Sequence, residues 1–309
     1  MKILFMGTPD FAACILKKLL ESDHEILGVV TQPDKQKGRG KAMSFPPVKE
    51  VAIENRLSIY QPFKVKDPEF VQLIRELEPE AIVVAAFGQI LPKELLEIPT
   101  YGCINVHASL LPKYRGAAPI QYSIINGEEE TGITIMHMDV GLDTGDMILQ
   151  AKTSISPDET GGSLHDKLAD LGAELIIEAL DKIKAGTAER VPQDDSKASY
   201  VKVLSKDMGN IDFTQSAVQI ERLIRGLNPW PSAFTYLDGK TLKFWKASVE
   251  PAVSEAKPGT IIEVRKDAIV VMTGKDALVI HELQLQGKKR MPTDAFLRGN
   301  KIATGTQLG

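Results

Sequence analysis

The run AIVVAAF at residues 81–87 is apolar at every position and rich in β-branched side chains. A strand with one wet face alternates polar and apolar residues, and this run does not. It therefore predicts a strand buried on both faces, the signature of a parallel sheet covered by helices on either side. The flanking sequence agrees. KILFM (2–6) and EILGVVTQ (25–32) read as further strands, and the apolar spacing after Asp10 predicts a helix with Asp10 as its N-cap. PVKEVAIENR (47–56), PEFVQLIRELEP (68–79) and PKELLEI (92–98) are helical, and GCINVHAS (102–109) is the next strand. Strands alternating with helices place the chain in the α/β class. GITIMHMDV (132–140) and GDMILQAKTSI (145–155) add two strands, and a long amphipathic helix runs from 162 to a stop at Gly186.

The texture then changes. TAERVPQDDSKASYVKVLSK (187–206) is polar and aperiodic, as a linker is. After one more helix, SAVQIERLIRGLN (216–228), the chain reads as short β segments, the first with an Asp-Gly hairpin signal at 238–239. Several short strands in under a hundred residues predict a small barrel or sandwich.

The chain has 309 residues, long for one compact unit, and two domains are expected. Its 43% hydrophobic and 25% charged residues are ordinary for a soluble globular protein, and no apolar run reaches a membrane-spanning length. Two cysteines exclude a disulfide framework and suit a reducing, cytoplasmic compartment. The net charge of −4 is unevenly spread: residues 206–309 hold 15 Lys and Arg against 11 Asp and Glu. A basic C-terminal region on an acidic protein hints at a polyanionic partner.

Three constellations carry candidate chemistry. In INVHASLLPKYRG (104–116), Asn105, His107 and Ser109 share one face of a strand that breaks at Pro112 and Gly116. Ligands of open parallel sheets sit beyond the carboxyl ends of the strands. There an Asn can donate to an oxygen gaining negative charge, and a His can exchange protons near neutral pH. The same pair also fits a strand end whose polar groups are satisfied locally. In HMDVGLDTGDMI (137–148), Asp139, Asp143 and Asp146 lack the spacing of a calcium loop, and no metal is expected. The Gly-rich connector allows one carboxylate to fold back onto the histidine, fixing its orientation and favouring its protonated form; a turn with solvated carboxylates is the alternative. TQPDKQKGRGKAMSFPP (31–47) is a long basic loop, either a solvated surface loop or one that reaches a phosphate backbone.

Cys103 shares the His107 face, but four residues along a strand span about 13 Å, too far for a thiol–imidazole pair. A buried structural role is expected. MGTPDF (6–11) lacks the further glycines of a dinucleotide fingerprint, which disfavours nicotinamide and flavin cofactors.

Together NVHASLLPKYRGAAPIQ and MDVGLDTGD resemble the paired signatures of the 10-formyltetrahydrofolate-dependent formyltransferases. GTPDFA, TQPDKQKGRGK and NPWPSAF extend the likeness, in order, to the tRNA-directed branch of that family. The resemblance implies a Rossmann-like, mostly parallel α/β catalytic domain at 1–189, a linker at 190–205 and an OB-like barrel at 206–309 that binds tRNA. It implies Asn105, His107 and Asp143 as catalytic residues, and Ser109, Leu110, Leu111 and Pro112 beside 10-formyltetrahydrofolate, with 85–91 (AAFGQIL) walling the pteridine. It also implies Arg39 and Lys41 as contacts to the acceptor end of initiator methionyl-tRNA. A formyltransferase acting on an amino sugar or other small amine, and a non-catalytic folate- and RNA-binding module, are the competing expectations.

Overall fold

The computed structural model describes residues 1–37 and 42–309, so Arg39 and Lys41 lie outside the described residues. Two compact units interleave along the chain. One comprises Met1–Gly116, Glu130–Thr153 and His165–Val201; the other comprises Ala117–Glu129, Ser154–Leu164 and Lys202–Gly309.

The first unit is built on a seven-stranded sheet. Its strands are β1 (Lys2–Gly7), β2 (Glu25–Val30), β3 (Ile59–Tyr60), β4 (Ala81–Ala85), β5 (Cys103–His107), β6 (Glu130–His137) and β7 (Met147–Ser154), in the order β7-β6-β5-β4-β1-β2-β3. The pairs β3-β2, β2-β1, β1-β4 and β4-β5 are parallel, and β5-β6 is antiparallel. The order 3-2-1-4-5 is that of a doubly wound sheet, with its topological switch between β1 and β4. Every residue of β4 is buried, as its unbroken apolar run requires.

Helix α1 (Asp10–Leu20) follows β1, but its N-cap is Pro9 and not the Asp10 expected from sequence. Pro9 is already extended and lets the helix begin one residue earlier, which puts the Asp10 carboxylate in the first turn against the helix dipole. Helices α2 (Pro47–Glu54), α3 (Pro68–Leu77) and α4 (Lys93–Leu96) fall where the periodicity puts them. Cys103 lies in the core that α3 and α4 cover, with Leu4, Met6, Val84, Phe70, Ile74 and Leu95. The opposite face of β5 packs on the long helix: at Gly172 a Cβ would stand 3.0 Å from Val106 Cγ1. Two short pairs complete the unit. Lys35–Lys37 pairs antiparallel with Ala42–Ser44 as the arms of the basic loop, and Arg115–Gly116 pairs parallel with Tyr200–Val201.

Helix α5 (Pro119–Ile125), which the sequence reading did not anticipate, belongs to the second unit. With only seven residues it shows less than two turns of periodicity. The helix read at 162–186 is α6 (Gly161–Lys184), which ends before Gly186 at φ 69°. Helix α7 (Ala217–Gly226) starts with a Ser216–Gln219 capping box and packs against α5. Five strands, β8 (Ala233–Leu237), β9 (Lys240–Glu250), β10 (Ile261–Val264), β11 (Ile269–Met272) and β12 (Ala277–Leu285), form an antiparallel sheet in the order β8-β9-β12-β11-β10. A sixth, Met291–Pro292, pairs with β12 and leads into α8 (Thr293–Gly299). The predicted hairpin turn is there, with Asp238 and Gly239 both at positive φ (48° and 73°). Ile220 and Ile224 of α7, Phe244 of β9 and Phe296 of α8 share one apolar core.

Candidate active site

The carboxyl-end loops of the parallel strands are bonded to one another around the switch between β1 and β4. Thr8 Oγ1, after β1, donates to the Phe87 carbonyl after β4 at 3.0 Å, and Gln32 Nε2, after β2, donates to the same oxygen at 3.2 Å. Val65 N donates to Gln89 Oε1 at 3.0 Å. This ties down the 85–91 loop, where Phe87 and Leu91 enter the core and Ile90 stays exposed.

β5 rises beside this loop, with Val84 of β4 in register with Asn105. Period-two alternation sends Cys103, Asn105 and His107 to the same face. Cys103 stays in the core, where burial pushes its thiol up to about 12 and Sγ donates to the Leu95 carbonyl at 3.8 Å. It is no nucleophile at neutral pH. Asn105 is 9% exposed, and its amide has no hydrogen-bond partner among the described residues. His107 is 6% exposed, and its Nε2 stands 2.9 Å from the Tyr114 carbonyl. A carbonyl only accepts, so Nε2 carries the hydrogen and Nδ1 is the nitrogen left to exchange a proton.

Nδ1 faces Asp143. The Asp143 Oδ2 is 3.7 Å from it and accepts the Gly116 amide at 2.7 Å. His137, at the end of β6, pairs with Ile104, about 10 Å down the strand from His107. The 138–146 connector must therefore fold back along β5 to deliver this carboxylate. It does so with Asp143 in the left-handed region, φ 54°, which Asp tolerates better than most residues. The other two aspartates of the loop make local bonds, one through its side chain and one through its main chain. Asp139 Oδ1 accepts Gly141 N and Thr144 Oγ1, and the Asp146 carbonyl accepts His137 N. Among the described residues no group of His, Cys, Asp and Glu is placed to hold a metal.

The segment Ser109, Leu110, Leu111, Pro112 lies across β6 and β7. Ser109 is wholly buried, its Oγ donating to the Lys113 carbonyl at 2.6 Å, and its own carbonyl accepts Thr134 Oγ1 at 2.6 Å. Leu111 N donates to Thr134 Oγ1, and the Leu111 carbonyl accepts Gln150 Nε2. The Ser109 hydroxyl thus closes the turn that ends the strand.

Sequence reasoning missed the support behind these groups. Gln193, Asp195, Ser199 and Tyr200, from the polar stretch read as a linker, surround Arg115, which is 1% exposed. The one available signal was an arginine beside the strand break, and it does not say where its partners lie.

Residues 1–180 match the family described as formyl transferase, and residues 203–301 match the formyl transferase C-terminal domain. The methionyl-tRNA formyltransferase of Clostridioides difficile is 54% identical over 309 residues, covering 100% of both chains. That of Agathobacter rectalis is 53% identical over 306 residues, 99% of each. Among solved structures, the sugar 3N-formyl transferase WlaRD aligns with a TM-score of 0.68 at 20% identity, covering 94% of this chain and 99% of that one. HypX from Aquifex aeolicus in complex with tetrahydrofolic acid aligns with 0.64 at 17% identity, covering 99% of this chain and 50% of that one. These two likenesses concern the fold. With an N-terminal and a C-terminal family match that together span most of its length, and with relatives above 50% identity end to end, the chain belongs to the formyltransferase family.

Proposed function

We propose that this chain transfers the formyl group of 10-formyltetrahydrofolate to the α-amino group of methionine on charged initiator tRNA; the name of its full-length relatives, methionyl-tRNA formyltransferase, supports formyl transfer to methionyl-tRNA. The observation that carries the chemistry is the convergence of the open Asn105 amide with the His107–Asp143 pair at the carboxyl end of β5. In formyl transfer the amine nitrogen bonds to the formyl carbon, the bond from that carbon to the folate nitrogen breaks, and one proton passes overall from the amine to the leaving nitrogen. Asn105 donates to the formyl oxygen as negative charge gathers there. His107 Nδ1, with Nε2 held by Tyr114, takes and returns the proton, and Asp143 faces the imidazolium while it exists.

In this reading residues 1–189 hold the reacting groups and 206–309 bind tRNA, with 190–205 between them, its 193–200 part packed on Arg115. The placement of the three catalytic candidates and the basic balance of the C-terminal region support that division. The backbone of Ser109, Leu110, Leu111 and Pro112, with the 85–91 loop, walls the folate. Arg39 and Lys41, in the basic run of the sequence, contact the acceptor end. The same reading sets the protein in the cytoplasm, which its two free cysteines support. The decisive experiment supplies labelled formyl donor together with charged initiator tRNA and, separately, an amino sugar. Label on the methionyl amine supports the reading; label only on the sugar, or on neither, rejects it.

A further inference from the structure

We propose that Gln193 is a positioning residue for the transfer, locked by Arg115 and acting on the backbone that carries Asp143; the catalytic part of this rests on the reading above. Arg115 Nε and Nη2 donate to Gln193 Oε1 at 3.1 and 2.9 Å, which consumes the acceptor end of that amide. The donor end is thereby aimed, and Nε2 donates to the carbonyls of Asp143 and Gly145, both at 2.8 Å. A side chain bridging a cation to two carbonyls needs an acceptor and a two-hydrogen donor at opposite corners of one plane, which is a primary amide. The residue it holds needs holding, because Asp143 sits at φ 54°, a conformation that persists only when its surroundings impose it.

The guanidinium is itself fixed. Nη1 donates to the Tyr200 hydroxyl at 2.8 Å and Nη2 to Asp195 Oδ1 at 2.7 Å, and Arg115 is buried although Asp195 is exposed. The backbone on either side of Arg115 completes the frame. Gly116 N is the donor to Asp143 Oδ2, and the Tyr114 carbonyl is the acceptor for His107 Nε2. Tyr114 N donates to Ser199 Oγ and Arg115 N to the Ser199 carbonyl, both at 2.8 Å. The 193–200 segment therefore reaches His107 through Tyr114, and it reaches Asp143 both through its carbonyl and through Gly116. Of the links that reach Asp143, the Gln193 amide is the one that a side-chain substitution removes without touching the backbone.

The test uses the full chain. Gln193→Met removes both ends of the bridge; Gln193→Glu keeps the acceptor for Arg115 and sets an oxygen against the two carbonyls. Both variants should lower kcat by about ten- to a hundredfold, as small misplacements at a reacting centre do, with KM for folate and tRNA nearly unchanged. In an Asp143→Asn background the same changes should cost less than about twofold, because residues acting through one another are not additive. Hydrogen exchange reads the geometry without turnover. The Gly116 amide, bonded to the Asp143 carboxylate, should exchange faster in Gln193→Met, while the Arg115 amide, bonded to Ser199, should not. If Gln193→Met does not fold, Gln193→Glu decides alone. Losses that multiply in the Asp143→Asn background, full kcat in a folded variant, or unchanged Gly116 exchange would each overturn the proposal. Absence of formyl transfer by the unsubstituted chain would instead reject the functional reading and leave the exchange experiment to judge the geometry.

Discussion

Asp143 Oδ2 meets His107 Nδ1 at 3.7 Å while accepting the Gly116 amide at 2.7 Å, so the carboxylate is anchored by backbone and the imidazole is approached without being clamped. His107 takes its fixed orientation from the other side, through Tyr114. An arrangement that fixes both partners yet leaves Nδ1 short of a tight bond suits a group that must exchange a proton.

Activity and stability should separate at these residues. Asn105→Ala removes a nearly buried amide that has no partner among the described residues, so the thermal midpoint should hold or rise while kcat falls on the order of a hundredfold or more. Asp143→Asn keeps an acceptor for Gly116 but removes the charge facing His107, and His107→Ala removes the imidazole proposed to carry the proton. Each should cost about a hundredfold to ten-thousandfold in single-turnover rate. A folded His107→Ala chain with full turnover would place the chemistry elsewhere.

Gly116 is at φ 107°, and a Cβ there would run into the Val201 carbonyl. Gly116→Ala should destabilise the fold by about 1–3 kcal/mol in a urea titration and depress kcat as well, since the displaced amide is the one that holds Asp143. A loss of stability with intact kcat would separate this turn from the site.

Stability should fall in acid for a histidine outside the site. His137 is lowered from 6.5 to about 4, first by burial and then by the Arg190 cation. Between those values the unfolded chain binds more protons than the folded one, so the contribution is full above pH 6.5 and is lost as pH falls toward 4. His24 and His281 are lowered too, burial again leading, and add in the same direction. Urea midpoints measured across this range should slope less for His137→Gln; an identical slope would assign the acid loss to other groups.

The basic loop should act on tRNA alone. Arg39→Ala and Lys41→Ala should raise KM for charged tRNA, leave KM for folate unchanged and each reduce the salt dependence of tRNA use by about one counterion. A matching rise in both KM values would move the loop to the folate pocket.

Much of the fold was readable because its signals are local. The all-apolar run of β4, the helical periods of α3 and α7, and the Asp-Gly turn between β8 and β9 each lie within a dozen residues. α5 escaped because seven residues show too little periodicity, and the cap of α1 was misplaced by one residue because Pro9 and Asp10 both suit a helix start.

For the site, strand alternation alone put Asn105 and His107 on one face, and the family resemblance singled out Asp143, the carboxylate that the structure brings to His107. Only the tertiary structure decided which nitrogen of His107 remains for the proton, that Ser109 closes a turn, and that Arg115 reaches Gln193, 78 residues away. Alternation and motif spacing are properties of neighbouring residues, whereas a buried cation draws its partners from wherever the chain passes, and those partners, Gln, Asp, Ser and Tyr, have the composition of an ordinary solvated loop.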